Sequence, residues 1–150
     1  MTAKRLDPIL SLKDEIIQFA EKYDPRPFHI DEAAAARSVF AGLSASAAHT
    51  FAIFYSLTNK LHPPIRAIAA LGYDELRLPN PVRPDDELDL DVRVLEKRES
   101  KSKSDRGIFR FRAFLRNQRR ETVLECISNI LVARRPHANA PTRIEKTDGP

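Results

Sequence analysis

The sequence predicts an α+β domain in which an antiparallel sheet wraps around a central apolar helix. Helical patterns dominate residues 11–61, whereas apolar and polar side chains alternate through much of residues 88–132. Helices followed by hairpin-linked strands are typical of α+β domains rather than of parallel sheets. Residues 44–61 are apolar on nearly every side, so we expect the strands to cover them.

Length and composition favour a single domain. The chain has 150 residues, of which 42% are hydrophobic, enough to fill one core. We expect the domain to span residues 1–135 and a polar, proline-bearing tail to span residues 136–150. Cys126 is the sole cysteine, so no internal disulfide can form. The N-terminal residues lack the apolar run of a signal peptide, and no stretch approaches a membrane span, so we expect a cytoplasmic protein.

The charge is slightly positive, with a formal net charge of +4 and a pI of about 9.4. Many basic residues gather in the polar stretch 97–106 without the interleaved aromatic residues typical of nucleic-acid binding. The pattern favours an ordinary soluble surface with no nucleic-acid or membrane partner. A modest positive rim would also suit a phosphate-bearing small molecule such as a coenzyme A thioester.

The first three helices are marked by local signals. Residues 5–10 are expected to form a short edge strand, after which Ser11 is predicted to cap a helix. That helix should end after Tyr23, because Pro25 lacks the N–H that would continue it. Asp31 is predicted to cap a second, short helix. The third helix, residues 44–61, should be buried all round, since residues 33–73 contain no acidic residue.

Four strands are predicted at residues 65–78, 88–94, 109–115 and 122–132. Asp89 and Asp91 alternate with apolar residues in the second of them, as do several arginines in the third. If these two strands pair, the acids should oppose the arginines.

One loop carries a candidate acid/base pair. Asp24 and His29 lie five residues apart with two prolines between them, which restrict the loop. A carboxylate and an imidazole that converge on one water can act as general acid and base. A structural alternative stays open and is the commoner case for two such residues alone: Asp24 turns the chain and His29 fills a gap.

The start of the third helix is the second candidate. The first N–H groups of a helix have no internal partner and can polarise a carbonyl oxygen. Ser44, Ser46 and Thr50 can instead cap the helix or bond to its carbonyls, and His49 can be a core residue.

Together these segments resemble the MaoC-like dehydratase family of hot-dog proteins, which includes (R)-specific enoyl-CoA hydratases. The family's loop, Asp-x-Asn-Pro-x-His-x-Asp, is matched in register by Asp24, Pro27, His29 and Asp31. Its helix start is matched by residues 45–47, and its Pro-Val-Arg-Pro connection is similar to residues 76–88. The resemblance covers roughly residues 12–135.

The resemblance implies a hot-dog fold and a homodimer or higher homo-oligomer. It also implies a hydro-lyase that hydrates an enoyl thioester or dehydrates a 3-hydroxyacyl thioester of coenzyme A or acyl carrier protein. Asp24 and His29 would activate the water, and the Ala47 amide would form the oxyanion hole. Arg26, Ser46 and His49 are expected to contact the substrate. No cofactor and no metal are expected.

Three positions depart from the family pattern. Arg26 replaces asparagine, where it can pair with Asp24 or reach a coenzyme phosphate; Ala47 and Asp85 each stand where glycine is usual. These departures keep open a non-catalytic subunit that binds acyl-CoA or supports a partner. A hot-dog thioesterase ranks below it, because such enzymes often carry a carboxylate on or beside the central helix and residues 33–73 contain none.

Overall fold

The computed structural model describes residues 6–136. Within that part of the chain the elements are β1 (Ile9–Leu10), α1 (Lys13–Tyr23), α2 (Pro27–Ile30), α3 (Glu32–Ala36), α4 (Ala47–Thr58), β2 (Ala67–Arg77), β3 (Glu87–Glu99), β4 (Arg106–Arg116) and β5 (Thr122–Ala133). No helix of this part is long and apolar enough to cross a membrane. The predicted tail lies outside it apart from Pro136, and the domain boundary at residue 135 stays a prediction.

The five strands form one antiparallel sheet in the order β1-β3-β4-β5-β2. The sheet wraps around α4, so the predicted α+β class is confirmed. Phe54 and Leu57 of α4 share the core with Phe111 and Leu115 of β4, all of them at most 1% exposed. Burying each such side chain contributes about 1.5–3 kcal/mol to the free energy of unfolding.

The predicted cap of α1 is wrong by one residue. Leu12 occupies the N-cap position, and no side chain caps the helix there. The backbone of Ser11 instead forms hydrogen bonds with the loop before β3. Its N–H donates to the Asp86 carbonyl (2.8 Å), and its carbonyl accepts from the Asp85 N–H (2.7 Å). The end of α1 at Tyr23 and the cap of α3 by Asp31 are confirmed.

Helix α4 is shorter than predicted and is not buried all round. Its N-cap is Ser46, and one face of the helix is open in the single chain. The exposed residues of the helix are Ala47, Ala48, Ala52, Tyr55 and Ser56, and the last four follow a helical spacing. The opposite face, which includes Ile53 and Phe54, is covered by the sheet.

The predicted pairing of acids with arginines is confirmed on β3 and β4. Asp89 lies opposite Arg116 in the register of the two strands, and the Arg116 guanidinium donates to Asp91. The alternation of β3 fails at its far end: Val94 lies opposite the buried Phe111 and is nevertheless exposed, whereas Leu88 and Leu90 are buried. The register slips directly after it, between Val94 and Glu96.

Candidate active site

The loop that carries Asp24 is shaped by its two prolines. Asp24 is the C-cap of α1, and its N–H donates to the Ala20 carbonyl (2.8 Å). Pro25 cannot extend the helix, and Pro27 takes the first position of α2, where a missing N–H has no cost. The Arg26 N–H bonds back to the Asp24 carbonyl (2.8 Å). The chain thus turns sharply between the two helices.

His29 is buried on α2 and its ring is anchored by the chain ahead of α4. Nδ1 lies 2.6 Å from the carbonyl oxygen of Ser44. A carbonyl can only accept a hydrogen bond, so Nδ1 carries a proton. When the ring is neutral, Nε2 is therefore the unprotonated nitrogen. The ring also packs edge-on against Phe28, with centroids 4.5 Å apart.

The unprotonated nitrogen faces the carboxylate of Asp24. His29 Nε2 and Asp24 Oδ2 are 3.7 Å apart, which is longer than a direct hydrogen bond. A water placed beside both atoms can bond to each of them. The Asp24 side chain is 31% exposed, so this position is open to solvent on one side.

Arg26 occupies the other carboxylate oxygen of Asp24. Its Nε donates to Oδ1 over 2.9 Å, and its side chain is largely exposed. An ion pair at this exposure adds at most about 1 kcal/mol to stability. Its clearer effect is orientation, because it leaves Oδ2 as the oxygen near His29. Of the two roles expected for Arg26, the structure shows the pairing; contact with a phosphate stays a prediction.

The start of α4 offers free backbone donors. Ser46 Oγ accepts from the His49 N–H (3.1 Å), and the Ser46 carbonyl accepts from both the N–H and the hydroxyl of Thr50. The Ala47 N–H, at the first helical position, has no acceptor within the helix. Ser46 is fully buried in its capping role, and its contact with a substrate stays a prediction.

His49 lies between α4 and α1 in an apolar environment. Its ring is stacked on Phe19 with centroids 4.6 Å apart, and only 8% of the residue is exposed. Nδ1 is buried and has no hydrogen-bond partner among the described residues. Burial lowers the pKa of His49 below its usual value of 6.5, while the nearby Glu15 carboxylate opposes this change. The expected substrate contact of His49 stays a prediction.

The structure brings Asp24 and His29 together and links His29 to the segment that leads into α4. Two parts of this arrangement were not predicted from the sequence: the Ser44 carbonyl that holds His29, and the contacts of Arg83 with the segment before Ser44. Backbone acceptors leave no residue pattern to detect. The Pro-Val-Arg-Pro segment was the available signal for Arg83, but it does not reveal which atoms the guanidinium binds.

A curled antiparallel sheet around one helix defines a hot-dog domain, and in this one Asp24 and His29 lie close to the segment that leads into that helix. The profile of the family described as "MaoC like domain" matches residues 2–109. YdeM of Bacillus subtilis (strain 168) is 32% identical over 123 residues, which cover 81% of this chain and 86% of that protein. This chain belongs to the MaoC-like domain family.

Solved structures agree with this assignment. The crystal structure of the MaoC-like dehydratase from Rhodospirillum rubrum is 39% identical, with a TM-score of 0.80 over 91% of this chain and 95% of that one. The unliganded R-hydratase PhaJ1 from Pseudomonas aeruginosa is 23% identical, with a TM-score of 0.65 over 96% of this chain and 92% of that one, and it supports the fold.

Proposed function

We propose that this protein adds water to an enoyl thioester, or removes water from a 3-hydroxyacyl thioester, with Asp24 and His29 as the catalytic pair. The observation that supports this most directly is the 3.7 Å separation of Asp24 Oδ2 and His29 Nε2, with the other His29 nitrogen anchored at Ser44. This separation suits one shared water. Family membership supports the reaction class.

In the hydration direction, a water held by the pair loses a proton to one of the two groups while its oxygen bonds to the β-carbon. The α-carbon receives a proton from the pair, so the pair ends as it began. Negative charge gathers on the thioester oxygen in between. The Ala47 N–H is the proposed donor to that oxygen, at the positive end of α4. Dehydration is the reverse, and neither direction needs a metal or cofactor.

The proposal extends to the carrier, the assembly and the compartment. Coenzyme A and acyl carrier protein both carry a phosphate at the end of the pantetheine arm that is remote from the thioester. The exposed side chain of Arg26 would contact it only by leaving Asp24 and extending outward along that arm. We propose a homodimer, for which the open face of α4 and the long edge strand β2 give the structural support. The buried, unpaired thiol of Cys126 suits the cytoplasm.

The test is the loss of enoyl-thioester absorbance when the protein is added to crotonyl-CoA or to longer and branched enoyl-CoA substrates. Asp24→Asn should lower kcat by roughly 10²–10⁴-fold, because the amide cannot take up a proton. Asp14→Asn, an exposed acid on the same helix, is the matched control and should keep full activity. Absence of hydration across all these substrates would contradict the proposal.

A non-catalytic acyl-thioester-binding subunit is the second candidate. Arg26 already holds one oxygen of Asp24, and Ala47 adds a methyl group where the family usually has glycine. Calorimetric binding of an acyl-CoA that is recovered unchanged would support this candidate. Hydration that depends on both Asp24 and His29 would exclude it. A thioesterase would instead release a free thiol, and α4 carries no carboxylate.

A further inference from the structure

Arg83 binds the backbone of residues 40–43, directly before Ser44, whose carbonyl holds His29. Its guanidinium donates through Nη1 to the carbonyls of Gly42 (2.8 Å) and Leu43 (3.2 Å), and through Nη2 to the carbonyl of Phe40. One planar guanidinium group thus donates to three backbone carbonyls. The single ammonium group of lysine cannot reproduce this geometry. The side chain is half-buried, so these bonds are partly shielded from water.

The Ser44 carbonyl, which holds His29, lies between two contacts from the same loop. On one side Arg83 binds the Leu43 carbonyl, and on the other the Ala45 N–H donates to the Val82 carbonyl (2.9 Å). The segment itself is irregular, since Ala41 has a φ of 52° and belongs to no helix or strand. Its position therefore depends on such cross-contacts.

The backbone of Arg83 is in turn held by the buried carboxylate of Asp86. Its own N–H donates to Asp86 Oδ2 (2.8 Å), and the other oxygen of that carboxylate accepts from Gln118 Nε2 (3.0 Å). Asp86 is only 2% exposed, so the anchor is fixed in the interior. A buried carboxylate thus fixes the loop, the loop presents the guanidinium, and the guanidinium fixes the segment that ends at Ser44.

We propose that Arg83 is a positioning residue: by binding the carbonyls of residues 40, 42 and 43, it fixes the Ser44 carbonyl and so keeps the proton of His29 on Nδ1. Nε2 is then left unprotonated on the side of Asp24. The kinetic consequence rests on the proposed hydratase function, but the position of the proton on the ring does not. The two can therefore be tested separately.

The first readout is the ring of His29 in the ¹⁵N NMR spectrum, which separates a protonated from an unprotonated ring nitrogen. The chain has four histidines, and the His29 signals are assigned by their loss in His29→Gln. In the wild type we expect Nδ1–H at a pH where the ring is neutral. In Arg83→Met and Arg83→Lys we expect a mixture of the two ring tautomers, because the Ser44 carbonyl is no longer fixed.

The second readout is kinetic. Arg83→Met should lower kcat roughly ten- to a hundredfold with KM changed less than threefold, since a small misplacement of a catalytic group has that cost. Added guanidinium should restore part of the rate in Arg83→Met. Arg110→Met is the matched control: Arg110 is also half-buried and hydrogen-bonded, to Asn129 and Glu96, but it lies on the sheet. It should leave kcat and the His29 signals unchanged.

Arg83→Lys keeps the positive charge and serves as the test variant if Arg83→Met does not fold. Unchanged His29 signals in a folded Arg83 variant would overturn the proposal, whatever the activity. A mixed-tautomer ring in a protein without hydratase activity would uphold the positioning role and overturn only the proposed reaction. A rate loss shared equally by Arg110→Met would show general destabilisation and count against the proposal.

Discussion

His49 is a buried imidazole with an unpartnered nitrogen, and it makes the free energy of unfolding depend on pH. Burial lowers its pKa in the folded state, so the unfolded chain takes up a proton more readily. Well above pH 6.5, the pKa of the unfolded state, His49 is neutral in both states and its destabilising effect is absent. As the pH drops below that value, the unfolded chain takes up the proton and the free energy of unfolding falls.

His49→Phe should reduce this acid sensitivity, since phenylalanine can stack on Phe19 and does not titrate. Urea unfolding measured from about pH 7.5 to about pH 5 should show a smaller fall in the free energy of unfolding than in the wild type. His62→Gln, at an exposed histidine, should keep the wild-type slope. Equal slopes in the wild type and His49→Phe would refute the assignment.

Ala47 tests the proposed oxyanion hole at a single methyl group. Ala47→Gly keeps the backbone N–H and opens the space beside it, so kcat/KM for crotonyl-CoA hydration should rise. The stability loss should stay near or below about 1 kcal/mol, the cost of glycine for alanine in a helix. Ala48→Gly, at the next exposed position, is the control and should not raise kcat/KM. A lower value in Ala47→Gly would show that the methyl group does not crowd the substrate.

The hairpin of β3 and β4 depends on a close approach at Gly107. A Cβ at this position would lie 2.6 Å from the Arg98 carbonyl oxygen on the neighbouring strand. Since the obstacle is backbone, the strands must separate, and Gly107→Ala should lower the free energy of unfolding by roughly 1–3 kcal/mol. Chemical denaturation measures this. Lys101→Ala, exposed on the same hairpin, should change it by less than about 0.5 kcal/mol.

The sequence predicted helix ends best where the residue that marks the end acts on its own neighbours in the chain. Pro25 ends α1 and Asp31 caps α3, each through atoms within a few residues. Ser11 failed as a cap because residues 85 and 86, far along the chain, compete for its backbone. The open face of α4 could not be predicted from composition, since an apolar helix face looks the same whether the sheet or nothing in the chain covers it.

Strand β2 shows a further limit of the sequence. Its pairing with β5 slips at three places, and Glu75 adopts a φ of 52° at one of them. Bulges curl a strand, yet β2 contains no alternation that marks their positions. Asp85 is different: its φ of 66° is a value that glycine adopts without strain, which agrees with the glycine usual in the family's turn.

In the candidate site, too, some contacts were predicted from the sequence and others were not. The two prolines between Asp24 and His29 made a meeting of the two side chains possible, and the resemblance to the family's loop turned it into a prediction. The structure places Asp24 Oδ2 3.7 Å from His29 Nε2. Their catalytic roles stay predictions. The contact of the Ser44 carbonyl with His29 joins residues 15 apart, and the contacts of Arg83 with Gly42 and Leu43 join residues 41 and 40 apart, so only the folded chain brings these groups together.

Within the described residues, the sheet is open along β2 and also along residues 89–99 of β3, because β1 covers only Glu87 and Leu88 of that strand. Of the two outer strands, β1 has two residues and β2 has 11, and among the described residues β2 pairs with β5 alone. Ile68, Leu71 and Leu76 are all exposed on it. An apolar edge of this length invites pairing with another chain, and a second copy is the occupant that we propose.

Leu71→Asp should dissociate that homodimer, because a two-fold interface would bury the new charge twice. Sedimentation velocity at micromolar concentration should give twice the chain mass of 17.0 kDa for the wild type and a single chain for the variant. Leu95→Asp is the matched control, since Leu95 on β3 is 49% exposed and Leu71 is 54% exposed. A monomeric wild type, or dissociation by both substitutions alike, would contradict an interface at β2.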